Sequence, residues 1–171
     1  MIEIVGERVR LRSPRLEDVE SLAALAENEP ASFAPDGEEG LKRLRRQVER
    51  KPTLRDGGVL PLVVESEGRL VGDIQARAPT GGFPPGVCEI GITLSPEVRG
   101  RGLGLEAVRI FTTYLFEQGL ERVQASTAVE NAAMRRVLER AGYTFEGILR
   151  AYGPSETGRE DYAMYAATRS R

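Results

Sequence analysis

The chain has no histidine and no tryptophan among its 171 residues, and it has a single cysteine, Cys88. Without histidine, the Ser-His-Asp and Cys-His catalytic arrangements and most zinc hydrolase sites cannot be built. One cysteine cannot form an internal disulfide or a cysteine-rich zinc site. The composition therefore excludes these classes of enzyme.

Long apolar runs are also missing. No stretch approaches the ~18–20 residues that a membrane span requires, and the start MIEIVGERVRLR lacks the cationic and apolar parts of a signal peptide. The formal net charge is −2, without the basic excess of a nucleic-acid binder. We therefore expect a cytoplasmic protein that has neither a membrane nor a nucleic acid as its partner.

Hydrophobic residues make up 40% and charged residues 29% of the chain, an ordinary globular composition. The length fits one domain, residues 1–171. Periodicity and turn residues predict strands, helices and a hairpin turn in the order β-α-α-β-β-β-α-β-α-β-β. The strands are expected at 7–12, 59–66, 69–78, 88–94, 122–128, 143–150 and 159–167, and the helices from 16 to near Pro30, at 38–50, 103–118 and 131–140. Hairpins combined with a β-α-β crossover predict an α/β protein with one mixed sheet.

The most informative segment is CEIGITLSPEVRGRGLG, residues 88–104. A predicted strand ends there, and Gly100, Gly102 and Gly104 follow directly before a helix. The first turn of a helix has unpaired N–H groups and a partial positive charge, and glycine lets a ligand approach the backbone. With Arg99 and Arg101 at its rim, the loop predicts a cradle for a phosphate or pyrophosphate; the plainer alternative is a flexible loop with a helix cap.

Two known phosphate loops fit poorly. The lysine that a Walker A loop requires is absent, which argues against an NTPase. Residues 102–107 match the string G-x-G-x-x-A, but that dinucleotide pattern expects its first glycine at the end of the first strand of a doubly wound sheet. Several strands come earlier here, and residues 95–101 separate the strand from the first glycine of the string.

At this point the sequence resembles the GNAT acetyltransferases. Arg99-x-x-Gly102-x-Gly104 matches their R/Q-x-x-G-x-G/A signature, and Asn131 and the Gly142-Tyr143 pair stand in family-like order downstream. The start and end of the chain resemble the RimJ/RimL-like branch, which acetylates N-termini of ribosomal proteins. The resemblance implies the GNAT fold: a mixed, mostly antiparallel sheet with splayed central parallel strands and about four helices.

The resemblance also implies which residues bind acetyl-CoA, the expected co-substrate. The pantetheine arm would pair with main-chain groups of the strand at residues 88–94, and the pyrophosphate would lie on the amides of the glycine loop. Asn131 matches a family asparagine that contacts the CoA arm, although it could equally cap a helix. The implied cofactor-binding residues are Ile92, Thr93, Leu94, Arg99, Gly100, Arg101, Gly102, Leu103, Gly104, Leu105 and Asn131.

The reaction implied is attack of a neutral amine on a thioester, for which a carboxylate can serve as base. Strand parity places Cys88 on a buried face and Glu89 with Gly91 on the other. Family members often carry a glutamate on this strand, so Glu89 is the predicted catalytic base; its alternative role is that of a solvated strand carboxylate. Neither Cys88 nor any metal is expected to take part.

The chain departs from the family at the proton donor for the leaving thiolate. Leu138 stands where many members have a tyrosine, and Met134 stands where RimL-like enzymes can have a serine. Ser126, Tyr143 and Tyr152 are the hydroxyl candidates, each with a packing role as its alternative. The missing donors leave open a non-catalytic acyl-CoA-binding or regulatory module.

The acceptor is expected to be a primary amine, either a ribosomal-protein N-terminus or a small molecule such as an antibiotic or a polyamine. Its specificity should come from the first two helices and residues 28–40, from the loop at 79–86 and from the final hairpin loop at 152–159. Family members are often monomers or homodimers. The acidic residues that could attract a cationic amine are Asp36, Glu38, Glu39, Glu156 and Glu160.

Overall fold

The computed structural model describes residues 1–27, 37–50, 52–54, 57–79, 85–155 and 158–169. This part of the chain forms eight strands and four α-helices. The strands are β1 (Glu3–Val5), β2 (Arg10–Arg12), β3 (Val59–Ser66), β4 (Arg69–Arg77), β5 (Val87–Leu94), β6 (Arg122–Ala128), β7 (Thr144–Ser155) and β8 (Gly158–Thr168), and the helices are α1 (Val19–Glu27), α2 (Gly37–Glu49), α3 (Leu103–Glu117) and α4 (Ala132–Arg140).

The strands form one mixed sheet in the order β1-β2-β3-β4-β5-β6-β8-β7. Every neighbouring pair is antiparallel except β5 and β6, which are parallel and joined through α3. α3 packs across β1, β2, β5 and β6, and α4 packs on α3, β6 and β7, whereas α1 contacts β4 and α2. The expected mixed sheet and set of helices are confirmed.

The two parallel strands separate shortly after they meet. β5 and β6 pair only from Val87 opposite Arg122 to Glu89 opposite Gln124, although both strands continue beyond these residues. β5 stays paired with β4 up to Leu94, so it is its β6-facing side that loses its partner. Backbone groups on that side are therefore left for another partner, and we call the resulting V-shaped gap the splay.

The first predicted strand is partly wrong. The alternation at 7–12 predicts one strand, but the sheet contains β1 at Glu3–Val5 and β2 at Arg10–Arg12 with a turn between them. The cause is a distant side chain, because Glu106 accepts hydrogen bonds from the backbone N–H of Arg8 at 2.7 Å and of Val9 at 3.2 Å. These amides are thus occupied by α3 and cannot extend the strand.

The last predicted loop is also too long. Strand pairing continues through most of residues 153–158, with Ser155 opposite Gly158. Pro154 is accommodated because β7 is the outermost strand, where a missing N–H costs no ladder bond. The hairpin turn predicted at Glu67-Gly68 is confirmed, with both residues at positive φ, +52° and +73°.

Candidate functional site

β5 presents two different faces, as its alternation predicts. Cys88 and Ile90 are buried in the main core with residues of α3, and burial followed by the neighbouring Glu89 charge raises the pKa of the Cys88 thiol to about 12. A thiol with that pKa is not a nucleophile at neutral pH. Glu89, Gly91 and Thr93 lie on the opposite face, opposite Arg77, Gln75 and Asp73 of β4.

Glu89 lies at the vertex of the splay, where the last β5–β6 pair forms. Its carboxylate accepts a hydrogen bond from Gln124 Nε2 at 3.2 Å and one from Ser126 Oγ at 3.0 Å. Both donors are neutral side chains on β6, so the position of the carboxylate is fixed from the opposite arm. The sequence analysis missed Gln124 and considered Ser126 only as a proton donor, although their shared parity on a strand parallel to β5 was a usable signal for this contact.

The glycine loop has the backbone conformation that the cradle requires. A short 3₁₀ turn at Pro96–Val98 ends in extended backbone at Arg99, and Gly100 and Gly102 then adopt φ values of +75° and +83°. Gly102 directly precedes the first residue of α3. A side chain at either glycine would be strained, so the glycines are there for backbone geometry rather than for a simple flexible link.

The amides of this loop have no partners inside the described chain. None of the backbone N–H groups from Gly100 to Leu105 donates a hydrogen bond to a described residue. These six successive N–H groups, which have no acceptor within the described ranges, lie at the N-terminus of a 15-residue helix. They form a site that suits a phosphate or pyrophosphate.

Three arginines surround the cradle: Arg8, Arg99 and Arg101. The side chains of Arg8 and Arg99 bind different backbone carbonyls. Arg99 Nε donates to the Leu94 carbonyl at 2.9 Å, which ties the loop to the end of β5. Arg8 Nη1 donates to the Arg101 carbonyl at 2.9 Å, and a Cβ at Gly102 would lie 3.1 Å from the Arg8 guanidinium. The sequence reading missed Arg8, because it lies more than ninety positions earlier in the chain.

Glu106 fixes Arg8 in this place. One carboxylate oxygen binds the two backbone amides described above, and the other accepts from Arg8 Nε at 3.2 Å. Burial alone would raise the pKa of Glu106, but the hydrogen bonds from the Arg8 and Val9 amides outweigh it, and the pKa is lowered. The N-terminal turn is thereby attached to the first turn of α3.

Asn131 caps α4: its Oδ1 accepts from the Met134 backbone N–H at 3.0 Å. The alternative role considered for this residue is therefore present, and its side-chain amide N–H groups remain available for a second contact. Leu138 is fully buried in the core, and Met134 packs against that core. Neither position offers a proton donor.

The three hydroxyl candidates are separated by the fold. Tyr143 is buried and shares a hydrogen bond of 2.7 Å with Thr112 of α3, so it faces the core. Ser126 donates to Glu89. Tyr152 is 48% exposed and lies on β7 at an irregularity in the strand pairing.

A second carboxylate lies on the face of the sheet that carries Glu89, Gly91 and Thr93, which we call the cleft face. Asp73 pairs with Thr93 across β4 and β5, and burial raises the pKa of Asp73 to about 6, against the effect of a hydrogen bond from the Thr93 hydroxyl. The sequence reading did not single it out, since only the register reveals that it neighbours a residue expected to pair with the pantetheine arm.

The expected acceptor loops are mostly outside the described residues, which leave out 28–36, 80–84, 156 and 157; Asp36 and Glu156 are among these. Glu38 and Glu39 form exposed ion pairs with Lys42, as on a solvated helix face. Within the described ranges, no group of side chains could hold a metal ion, and no helix is both long and apolar enough to cross a membrane.

This architecture, a splayed parallel pair leading into a glycine-rich helix N-terminus, is the one that the family resemblance implies. The sequence model described as "Acetyltransferase (GNAT) domain" matches residues 8–144. The chain belongs to the GNAT acetyltransferase family. This confirms the assignment made from the Arg99-x-x-Gly102-x-Gly104 signature.

A curated relative matches a smaller part of the chain than the family model does. A segment of 62 residues is 42% identical to a probable N-acetyltransferase, YjcK, of Bacillus subtilis (strain 168), and this covers 36% of the chain and 34% of that protein. The chain thus matches about a third of the length of this curated relative.

Solved structures match almost the whole chain. The fold is similar to that of RimL, a ribosomal L7/L12 α-N-protein acetyltransferase in complex with coenzyme A (TM-score 0.81, 19% identity, 98% of each chain covered). It is also similar to that of the ribosomal-protein-S5-alanine acetyltransferase of Vibrio fischeri (TM-score 0.79, 22% identity, 98% and 97% covered). These likenesses establish the fold.

Proposed function

We propose that this protein is an N-acetyltransferase that transfers an acetyl group from acetyl-CoA to a primary amine in a ternary complex. The observation that carries the proposal is the row of amides from Gly100 to Leu105 at the open end of the splay, none of which has an acceptor in the part of the chain that the structure describes. That row suits the diphosphate of a carrier thioester, and the unpaired side of β5 suits an extended arm that hydrogen-bonds like an added strand.

The residues proposed to bind acetyl-CoA follow this geometry. The amides of the glycine loop would hold the diphosphate, with Arg101 adding positive charge at the rim. Main-chain groups at Ile92, Thr93 and Leu94 would pair with the pantetheine arm, and Asn131 would contact it from the start of α4. Arg99 would act by fixing the loop on the Leu94 carbonyl.

Glu89 is the proposed general base. An ammonium ion must lose a proton before its nitrogen can attack, and a carboxylate held at the vertex of the splay is placed to accept that proton, directly or through a water molecule. The main-chain N–H groups of β5 are the candidate stabilisers of the developing oxyanion. Holding amine and thioester together supplies much of the remaining acceleration.

A protein N-terminal amine is the preferred acceptor. An α-amino group has a pKa of ~7.7–8.0, against ~10.4 for an alkyl amine, so a larger fraction of it is neutral at physiological pH. The two structural relatives are named for such substrates. A small-molecule amine is the second choice, and we place the reaction in the cytoplasm, in a single domain spanning residues 1–171.

The test is thiol release when the protein is mixed with acetyl-CoA and a panel of amines. The panel contains short peptides with free α-amino groups, one of them beginning with alanine, together with a polyamine and an aminoglycoside. We expect acceptor-dependent release of thiol above solvent hydrolysis, and an acetylated acceptor in the mass spectrum. Cys88 is fully buried, so it will not consume the thiol reagent.

One alternative has an observation behind it. Leu138 and Met134 leave α4 without the donors seen in the family resemblance, which favours a module that binds acyl-CoA without turning it over. Binding of acetyl-CoA by calorimetry, combined with no turnover for any amine of the panel, would support this alternative and overturn the enzyme.

A further inference from the structure

The expected proton donors on α4 are absent, so a donor to the departing thiolate has to come from another element. Beyond the vertex of the splay, the hydroxyls of the described cleft face include those of Thr93, Ser126, Tyr152 and Tyr162, whereas Thr144 and Thr168 share this face but lie level with the vertex or on its closed side. Thr93 and Ser126 already donate to carboxylates, those of Asp73 and Glu89. The two tyrosines of the β7–β8 hairpin remain.

Strand register places Tyr162 on the same face as Glu89. Glu89 pairs with Gln124 of β6, and Tyr162 pairs with Ala128, four positions further along β6, so Glu89 and Tyr162 point to one side of the sheet. The Tyr152 ring lies against the Tyr162 ring, with centroids 5.6 Å apart and an interplanar angle of 56°. Tyr152 is the outer of the two and about half exposed.

An irregularity in the pairing of β7 with β8 holds Tyr152 in this place. The pairing shifts between Leu149 and Gly153, and Ala151 adopts a φ of +49°, which is costly for a residue with a Cβ. The Ala151 N–H donates to Asp161 Oδ1 at 2.8 Å, and Arg159 Nη1 donates to the Tyr152 carbonyl at 2.9 Å. Two side chains of β8 therefore stabilise this strained backbone. Irregularities of this kind are common beside active sites.

The electrostatics separate the two tyrosines. The charge of Glu89 is the largest influence on Tyr152, followed by burial, and together they raise the pKa of this phenol against the opposing charge of Arg77. The pKa of Tyr162 is raised first by burial, then by Glu160 and Tyr152. The Tyr152 hydroxyl therefore stays protonated at neutral pH and is within the electrostatic influence of the Glu89 carboxylate, while its ring packs on Tyr162, which lies on the Glu89 face of the sheet.

We propose that Tyr152 is the general acid of the reaction, an inference that rests on the proposed acetyl transfer. The proton that Glu89 takes from the ammonium ion passes to solvent, and Glu89 then takes a second proton from the attacking nitrogen while the new C–N bond forms. Tyr152 gives its hydroxyl proton to the sulfur as the C–S bond breaks, so that coenzyme A leaves as the neutral thiol. The phenolate then regains a proton from the Glu89 carboxylic acid, directly or through water, and both groups return to their starting states.

The first test compares Tyr152→Phe with Tyr162→Phe, its matched control, on the best amine of the panel. Each change removes one hydroxyl and keeps the ring pair. We expect kcat of Tyr152→Phe to fall about 100-fold, near the low end for general acids because a thiolate is already a fair leaving group, with KM for acetyl-CoA unchanged. Tyr162→Phe should keep kcat within a factor of about two.

The second test follows the phenol itself. We would replace Tyr152 with 3,5-difluorotyrosine, whose phenol is more acidic, and titrate it by ¹⁹F NMR without any substrate. Adding Glu89→Gln should lower the pKa of this phenol, because a negative charge beside it is lost. In the fluorinated enzyme, kcat should decline on the alkaline side at the pKa that the NMR titration measures.

A third variant tests the irregularity in β7 that holds Tyr152 in place. Asp161→Ala removes the acceptor for the Ala151 N–H and should lower kcat nearly as much as Tyr152→Phe, with the double variant no worse than either, because both act through one group. Asp161→Asn keeps an acceptor oxygen and should restore most of the rate.

Several outcomes would overturn the assignment. An unchanged kcat in Tyr152→Phe would do so, as would a change confined to KM for the amine, which would make Tyr152 an acceptor contact. A fluorotyrosine pKa insensitive to Glu89→Gln would contradict the geometry. Absence of turnover in the wild-type protein is a separate result, since it would refute the enzyme rather than the choice of acid.

Discussion

The two ends of the splay present different groups: backbone amides at the open end and side chains at the vertex. At the open end, the cradle consists of backbone: the amides from Gly100 to Leu105 on a helix N-terminus, which have no acceptor among the described residues, with side chains such as Glu106 holding the frame from outside. At the vertex, the backbone is already paired and the proposed chemistry depends on side chains, Glu89 with its two β6 donors.

The difference matches what each end would recognise. A diphosphate is the same in every acyl-CoA molecule, so a rigid array of N–H groups can serve any acceptor specificity. In the proposed mechanism, proton transfer from the amine and to the leaving sulfur depends on where one carboxylate and one phenol lie, which side chains on three separate strands determine. Mutations at the two ends should accordingly affect binding and rate in different proportions.

The largest effect is expected from Gly102→Asp. A carboxylate at this position lies against the bound diphosphate and next to Arg8, so we expect affinity for coenzyme A, measured by calorimetry, to fall at least about 100-fold. Gly119→Asp is the matched control, since Gly119 has a φ of +90° at the other end of α3 with nothing near its Cβ position. Equal loss in both variants would mean that backbone strain, and not the cradle, is responsible.

Glu89→Gln should leave the affinity for coenzyme A unchanged and lower kcat about 100-fold at neutral pH. Raising the pH should restore part of the rate, because the amine then loses its proton to solvent. The exposed Glu117→Gln on α3 serves as the control. A variant whose pH–rate profile matches that of the wild-type protein would remove Glu89 from the mechanism.

Glu106→Ala should weaken the frame of the cradle. It removes the acceptor of two backbone amides and of the Arg8 guanidinium, and we expect a loss of about 2–3 kcal/mol in the free energy of unfolding. The folded-state pKa of Glu106 is lowered, so its contribution is present above the ordinary value of 4.5 and is lost as the pH falls through the folded-state value. Denaturant titration at pH 7 and pH 3.5 tests both points, and a loss that is equal at the two pH values would contradict them.

The smallest effect is expected at Asp73, between the two ends. Its folded-state pKa, about 6, lies above the ordinary value of 3.8, so the folded protein binds more protons and stability decreases as the pH rises from 4 to 7. Asp73→Asn should remove this dependence and add about 2 kcal/mol of stability at pH 7, with little change at pH 4. A buried cation satisfying Asp73 would give the opposite result, a loss at pH 7.

The sequence by itself was enough for the elements whose signals are local. Alternation predicted β5 and its two faces, apolar spacing predicted α3, and turn residues predicted the Glu67-Gly68 hairpin, because each depends on neighbours within a few positions. The glycine spacing after β5 predicted the cradle for the same reason: positive φ and a helix N-terminus are properties of a short segment.

Tertiary structure decided what depends on distant partners. Arg8 and Val9 are not part of the strand predicted at 7–12, because a carboxylate on α3 binds their backbone amides. Tyr152 lies on the cleft face because of an irregularity in β7 that Asp161 stabilises from the next strand. Only the β4–β5 register showed that Asp73 lies beside Thr93. Residue spacing along the chain carries no information about such contacts, since the sheet order and register that create them are fixed by the packing of the whole chain.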